Sequence, residues 1–137
     1  MIEQADSFDL HVGGAEANVA VALATLGHAV RMGGVLPENR LGVLARNHLR
    51  SHGVETSAIQ TLEGRMGLYF LAQGAGLRAS EILYDRTGSA FARARATDFD
   101  WPTLLEGVDH LHLSGITPSL GPRSAKLALP LAGAAPA

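Results

Sequence analysis

Tyr84 and Arg86 are separated by one residue in the run SEILYDR, so on a β-strand both side chains leave the same face. An arginine presents a planar fork of N–H donors that matches a carboxylate bidentately, and an adjacent tyrosine adds a hydroxyl and a ring wall. Tyr69, in the earlier run MGLYFLAQ, brings a second hydroxyl and ring. Together the three side chains can hold a polar, acidic ligand. The plain structural alternative is a hairpin packed by its tyrosines, with Arg86 paired in solvent to Asp85 or Glu81. A second constellation is GGAEANVA. Gly13 and Gly14 let backbone approach a ligand closely, and the helix that follows offers unpaired N–H groups at its positive end. Asn18 falls on the first turn and can both donate and accept. The same glycines serve equally as a tight turn. The run lacks the third glycine of a dinucleotide fingerprint and the Gly-Lys-Ser/Thr of a phosphate loop.

Other residues carry less chemistry. His110 and His112 share a strand face, but two ligands without a third are the polar face of a strand rather than a metal site. Ser114, Gly115 and Ile116 end that run at what would be the carboxyl edge of a sheet, where open α/β folds bind ligands, so Ile116 can wall a pocket. Gly33 and Gly34 end an earlier strand in the same way, or mark a close backbone approach. Arg93 and Arg95 read as a solvated rim, and Trp101 as a core anchor. None of Asp85, Asp98, Asp100 and Asp109 is marked by its context as a catalytic base.

The elements that must position these groups follow from pattern. AEANVAVALATL, residues 15–26, is apolar nearly all round and stopped by Gly27, which predicts a buried helix. AVRMGGV predicts a short parallel strand. LGVLARNHLRSHG places Leu41, Leu44, Ala45 and Leu49 on one helical face with Gly53 as the stop, and VETSAIQTL reads as the next strand. This alternation implies a parallel sheet flanked by helices. It then breaks: MGLYFLAQ and SEILYDR, joined by GAGLRA, predict an antiparallel hairpin inserted into the α/β chain. Asp98 or Asp100 with Pro102 starts another helix, DHLHLSGI returns as a strand, and a helix opening at Gly121 is interrupted by Pro130 before an alanine-, glycine- and proline-rich end.

Composition narrows the function classes. The chain has 137 residues, enough for one domain with a real core. Thirteen acids against eleven bases, the bases scattered, give a net charge of −2 and argue against nucleic acid as a partner. With no cysteine there is no disulfide framework, thiolate metal site or thiol nucleophile, which suits a reducing compartment. No apolar run reaches a membrane span and the first residues have no signal-peptide pattern, so a cytoplasmic protein with no membrane partner is expected.

Several of these runs, in order, carry a resemblance. GGAEANVAVALATLG resembles the N-terminal signature of the ribokinase-like (PfkB-type) carbohydrate kinases; a tyrosine-bearing YFL followed by YDRTGSA and HLHLSGITPSL resembles the branch that acts on 2-keto-3-deoxygluconate. The resemblance covers about residues 6–126 and implies a Rossmann-type parallel sheet with helices on both faces plus a small antiparallel β lid. It places an N-terminal kinase portion at 1–126, lid strands near 8–12, 66–73 and 80–86, and a low-complexity tail at 127–137. The C-terminal half of the fold is expected to be incomplete. The resemblance further implies a sugar site containing Gly13, Gly14, Asn18, Tyr69, Tyr84, Arg86 and Ile116, a lid that pairs with a second copy, and ATP with magnesium as phosphoryl donor and metal. Arg86 then favours a sugar acid over a neutral sugar or nucleoside. Glu16, where the broader family has a small residue, and Pro37 in LPENRLG depart from the ribokinase pattern in the direction of the ketodeoxygluconate branch. The family's Gly-Ala-Gly-Asp motif, which carries the base and anion hole, does not occur; GAG at residues 74–76 runs into Leu77. No catalytic residue is therefore expected here, and the chain alone is expected to be inactive. The rivals are a neutral-sugar or nucleoside kinase of the same family, and a non-catalytic module whose lid strands serve only for association.

Overall fold

The computed structural model describes residues 2–119, 121–122 and 124–126. After a 3-10 turn at Ile2–Gln4, the order is α1 (Ala15–Thr25), β1 (Gly34–Pro37), α2 (Arg40–Ser51), β2 (Ile59–Leu62), β3 (Leu68–Ala72), β4 (Glu81–Asp85), α3 (Ala90–Arg93), α4 (Trp101–Leu105) and α5 (Ile116–Ser119). β1 and β2 pair in parallel, with Val35 beside Gln60 and Leu36 beside Thr61. β3 and β4 form a separate antiparallel pair.

The parallel pair is covered on both faces, as alternation along its strands requires. Leu36 and Ile59 point into one cluster with Ala20 of α1, Leu49 of α2 and Val54. Val35 and Leu62 point the other way, against Ala90 of α3, Ala94 and Trp101. Both long helices end in the same hydrogen-bond pattern. His28 N donates to Leu23 O and Gly27 N to Ala24 O; Val54 N donates to Leu49 O and Gly53 N to Arg50 O. This pair of hydrogen bonds needs a left-handed residue, supplied by Gly27 and Gly53 at φ 90° and 81°. Val54 thereby folds back onto Leu49 in the core. At the other end of α2, Asn39 Oδ1 accepts from Leu41 N and Gly42 N, the capping expected of Asn. Trp101 anchors α4: its ring stacks near Phe99, and Nε1 donates to Ala96 O at 2.8 Å.

Four expectations change. The apolar helix α1 buries only Ala20, while Leu23 and Leu26 are 37% and 75% exposed, because a single side of it packs on the sheet. The strand expected from Ala29 begins as an isolated bridge, Arg31 to Glu55, and resumes at Gly34. Gly33 lies between, with Leu104 of α4 where its Cβ would be, and Gly34 opens a strand rather than ending one. Residues 8–12 form no lid strand; this arm is held by side chains, with the Phe8 ring edge-on to Phe70 at 5.3 Å. Residues 109–114 are likewise not a strand, since no neighbouring strand supplies a ladder among the described residues, and Ile116 opens α5 instead of closing a strand. The tail expected at 127–137, and most of the helix expected from Gly121, lie outside the described residues.

Candidate functional site

The antiparallel register sets Tyr69 directly opposite Tyr84 and Leu71 opposite Ile82, so all four side chains share one face. Arg86, two residues beyond Tyr84, joins them. The tyrosine rings are 6.3 Å apart between centroids, and the Arg86 guanidinium carbon sits 4.3 Å from the Tyr84 centroid and 5.9 Å from that of Tyr69. A cation over an aromatic face is attracted by the ring quadrupole and loses rotamer freedom, while the edge of the guanidinium keeps its N–H donors. Both tyrosines are exposed.

The acid between them is otherwise engaged. Asp85 points to the opposite face, where Arg65 binds it through both terminal nitrogens, Nη1 to Oδ1 at 2.8 Å. Arg65 Nη1 also donates to Thr87 O. Among the described residues no carboxylate pairs with Arg86, so its positive charge remains available on the tyrosine face. Arg65 was not singled out from sequence; the signal lay in the hairpin register, which puts the residues before Leu68 alongside those after Asp85.

The glycine arm meets this face. A Cβ on Gly13 would lie 2.7 Å from Tyr69 Oη, so the hydroxyl rests on bare backbone. Gly14, at φ 148°, caps α1 without any side-chain hydrogen bond, and Asn18 N donates to Gly14 O at 2.8 Å. The first N–H groups of α1 therefore lack a side-chain cap. The Asn18 side chain stands exposed on the first turn, with no hydrogen bond to Tyr69 or Arg86 among the described residues.

Ile116 joins the same helix end through a residue noted in the sequence only as a departure. Ser114 Oγ donates to Glu16 Oε1 at 2.6 Å, Thr117 Oγ1 donates to it at 2.8 Å, and Ser114 N at 3.3 Å. Ile116 N donates in turn to Ser114 Oγ at 3.3 Å, and the Ile116 side chain is 40% exposed. Burial pushes the Glu16 carboxyl up, but the Ser114 hydroxyl, the helix backbone and Thr117 more than offset it and hold it below the ordinary carboxylate value.

The arrangement can bind an anion and hydroxyls. Three aspartates serve structure: Asp85 pairs with Arg65, Asp98 accepts from Arg95 N, and Asp100 caps α4 through Thr103. Arg93 is tied to Glu63 O. Among the described residues no three His, Asp or Glu side chains group as a metal site, and no helix is long and apolar enough to cross a membrane. Two surface hollows lie away from the tyrosine face, one lined by Pro37, Asn39 and Arg46, the other by Arg31, Gln60 and Leu104.

Comparison with known proteins agrees with this architecture. The chain is 36% identical over 119 residues to the 2-dehydro-3-deoxygalactonokinase of Haloferax volcanii, covering 87% of this chain and 37% of that protein. Its fold superposes on the crystal structure of 2-dehydro-3-deoxygluconokinase from Thermotoga maritima with a TM-score of 0.90 and 46% identity, covering 97% of this chain and 42% of the other. A fructokinase from Xylella fastidiosa, solved with bound ATP, matches 64% of this chain and 26% of its own at a TM-score of 0.57 and 32% identity. The chain thus spans well under half the length of these relatives. The model of the pfkB family carbohydrate kinases matches residues 1–134, and the chain belongs to that family.

Proposed function

We propose that these residues form the sugar-acid site of an ATP-dependent kinase that phosphorylates the primary hydroxyl of 2-keto-3-deoxygluconate or a close relative. The observation that carries this reading is Arg86, stacked on Tyr84 and without a carboxylate partner among the described residues, on the face that reaches Gly13. Its fork donates two N–H bonds to the substrate carboxylate. Tyr69 and Tyr84 bound the sugar from the lid side, Tyr69 offering its hydroxyl beside Gly13. Gly13, Gly14 and the first turn of α1, with Asn18, present N–H groups and an amide to sugar oxygens, and Ile116 closes the pocket wall. ATP supplies the phosphoryl group and magnesium offsets the charge on its phosphates. No residue of this chain is assigned to either, since neither a phosphate loop nor a group of metal-ligating side chains is present among the described residues.

A neutral-sugar kinase is the nearest rival, and an uncompensated arginine in the site favours the acid. The exposed pair Leu71 and Ile82, continuing the tyrosine face of the lid, supports association with a second copy through that hairpin. The site is expected to act in the cytoplasm on a small molecule, with no role for nucleic acid or membrane. Calorimetric titration tests the reading: 2-keto-3-deoxygluconate binds the chain much more tightly than fructose, and the 137 residues alone transfer no phosphate from ATP. Equal affinity for both sugars would overturn the sugar-acid assignment.

A further inference from the structure

The segment 109–115 runs without strand pairing among the described residues, so its placement cannot come from a ladder. Every described hydrogen bond between α1 and this part of the chain ends on one atom, Glu16 Oε1, which accepts from Ser114 N, Ser114 Oγ and Thr117 Oγ1 across 98 to 101 residues of sequence. Thr117 is 7% exposed, and Ser114 Oγ passes the contact on to Ile116 N. Glu16 itself sits two residues after Gly14. One carboxylate oxygen therefore fixes the distance between the glycine arm and the start of α5.

Building on the proposed sugar-acid site, we infer that Glu16 is a positioning residue for it: the carboxylate holds Ile116 and the Ser114–Thr117 turn against the Gly13–Gly14 arm, and so sets the width of the sugar pocket. Glu16 works through Ser114 and Thr117 and needs no contact with the substrate. A glutamine retains a carbonyl oxygen at the same reach that accepts the same three bonds. An alanine removes all of them and frees the turn.

The test compares wild type, Glu16→Ala and Glu16→Gln by nitrogen-15 NMR, first without ligand and then titrated with 2-keto-3-deoxygluconate. Glu16→Ala is expected to shift and deprotect the Ser114 to Thr117 amides, to leave the Leu49 and Val35 amides in place, and to weaken sugar-acid binding by about tenfold or more. Glu16→Gln is expected to restore both the amide pattern and the affinity to within about threefold. If the alanine variant does not fold, Ser114→Ala and Thr117→Val each remove donors while keeping the carboxylate, and each is expected to weaken binding on the order of threefold. A folded Glu16→Ala that binds like wild type, or a glutamine variant as weak as the alanine one, overturns the inference. Absence of sugar-acid binding by wild type overturns instead the proposed function, and the ligand-free amide pattern then still decides whether Glu16 holds the turn.

Discussion

Arg86 stacks on the ring of Tyr84, its guanidinium carbon 4.3 Å from the ring centroid, although the acid between them in sequence, Asp85, was the obvious partner for that charge. Strand alternation separates the two: Asp85 faces Arg65, and Arg86 faces the tyrosines. Replacing Arg86 by alanine is expected to cost about 2 kcal/mol of binding free energy for 2-keto-3-deoxygluconate, roughly thirtyfold in Kd, and little for a neutral sugar. Arg86→Lys keeps the charge but not the fork or the flat stack, and should fall between wild type and alanine. Calorimetric titration with both sugars checks the order. Equal losses for the acid and the neutral sugar would mean that Arg86 only supports the lid.

The contact of Tyr69 Oη with Gly13 predicts a coupling between those residues. Gly13→Ala puts a methyl group 2.7 Å from the hydroxyl, which must swing away and take its part of the sugar site with it. Sugar-acid affinity should drop about tenfold, while the melting temperature moves little, since the contact lies at an exposed rim. In a Tyr69→Phe background the same substitution meets only ring carbon at 3.5 Å, an ordinary contact, and its added cost should largely disappear. A double-mutant cycle measures this; full additivity would show that the two residues do not meet in solution.

Gly42 has a different reason to be glycine. It lies in the first turn of α2, where a Cβ would run into the backbone carbonyl oxygen of Pro37 at the end of β1. Alanine is ordinarily better than glycine inside a helix by about 1 kcal/mol. Here the clash is with backbone, which cannot rotate aside, so Gly42→Ala should destabilise by about 1 to 3 kcal/mol. Urea unfolding followed by circular dichroism reads the sign, and a stabilised variant would place α2 farther from β1 than the structure has it.

Much of this was legible in the chain because the signals are local. Gly27 and Gly53 announce helix ends whatever packs on them, and a two-residue spacing puts Tyr84 and Arg86 on one face of a strand. The αβαβ order likewise specified a parallel sheet, with helices then found on both faces. What was not legible depends on partners far along the chain. Residues 8–12 and 109–114 have strand-like composition, but a strand exists only with a ladder partner, and pattern does not supply one. Leu23 and Leu26 read as core because apolar helix residues usually are; their exposure depends on which face of α1 meets the sheet. Glu16 stood out in sequence only as an unusual residue, because its donors lie about a hundred positions away. Arg65 was hidden for a milder reason: its pairing with Asp85 follows from hairpin register, which composition alone does not fix.

Acid should find the same joint. Glu16 has its carboxyl held below the ordinary value of 4.5, burial raising it and the bonds from Ser114, the helix backbone and Thr117 lowering it further than burial raises it. Glu55 is also lowered, first by the Ser57 hydroxyl and then by Arg31. A carboxyl that ionises more readily folded than unfolded leaves the unfolded chain binding more protons near pH 4, so stability rises with pH there. The contribution is complete above the unfolded value of 4.5 and is lost as pH falls through the lower folded values. Melting temperatures measured between about pH 3 and 7 should be level at the upper end and decline below the unfolded carboxyl value. Glu16→Gln accepts the same bonds at every pH and removes one titrating group, so its acid decline should be shallower than that of wild type. A decline as steep as wild type in Glu16→Gln, or one centred near neutrality, would mean that other groups control the acid transition.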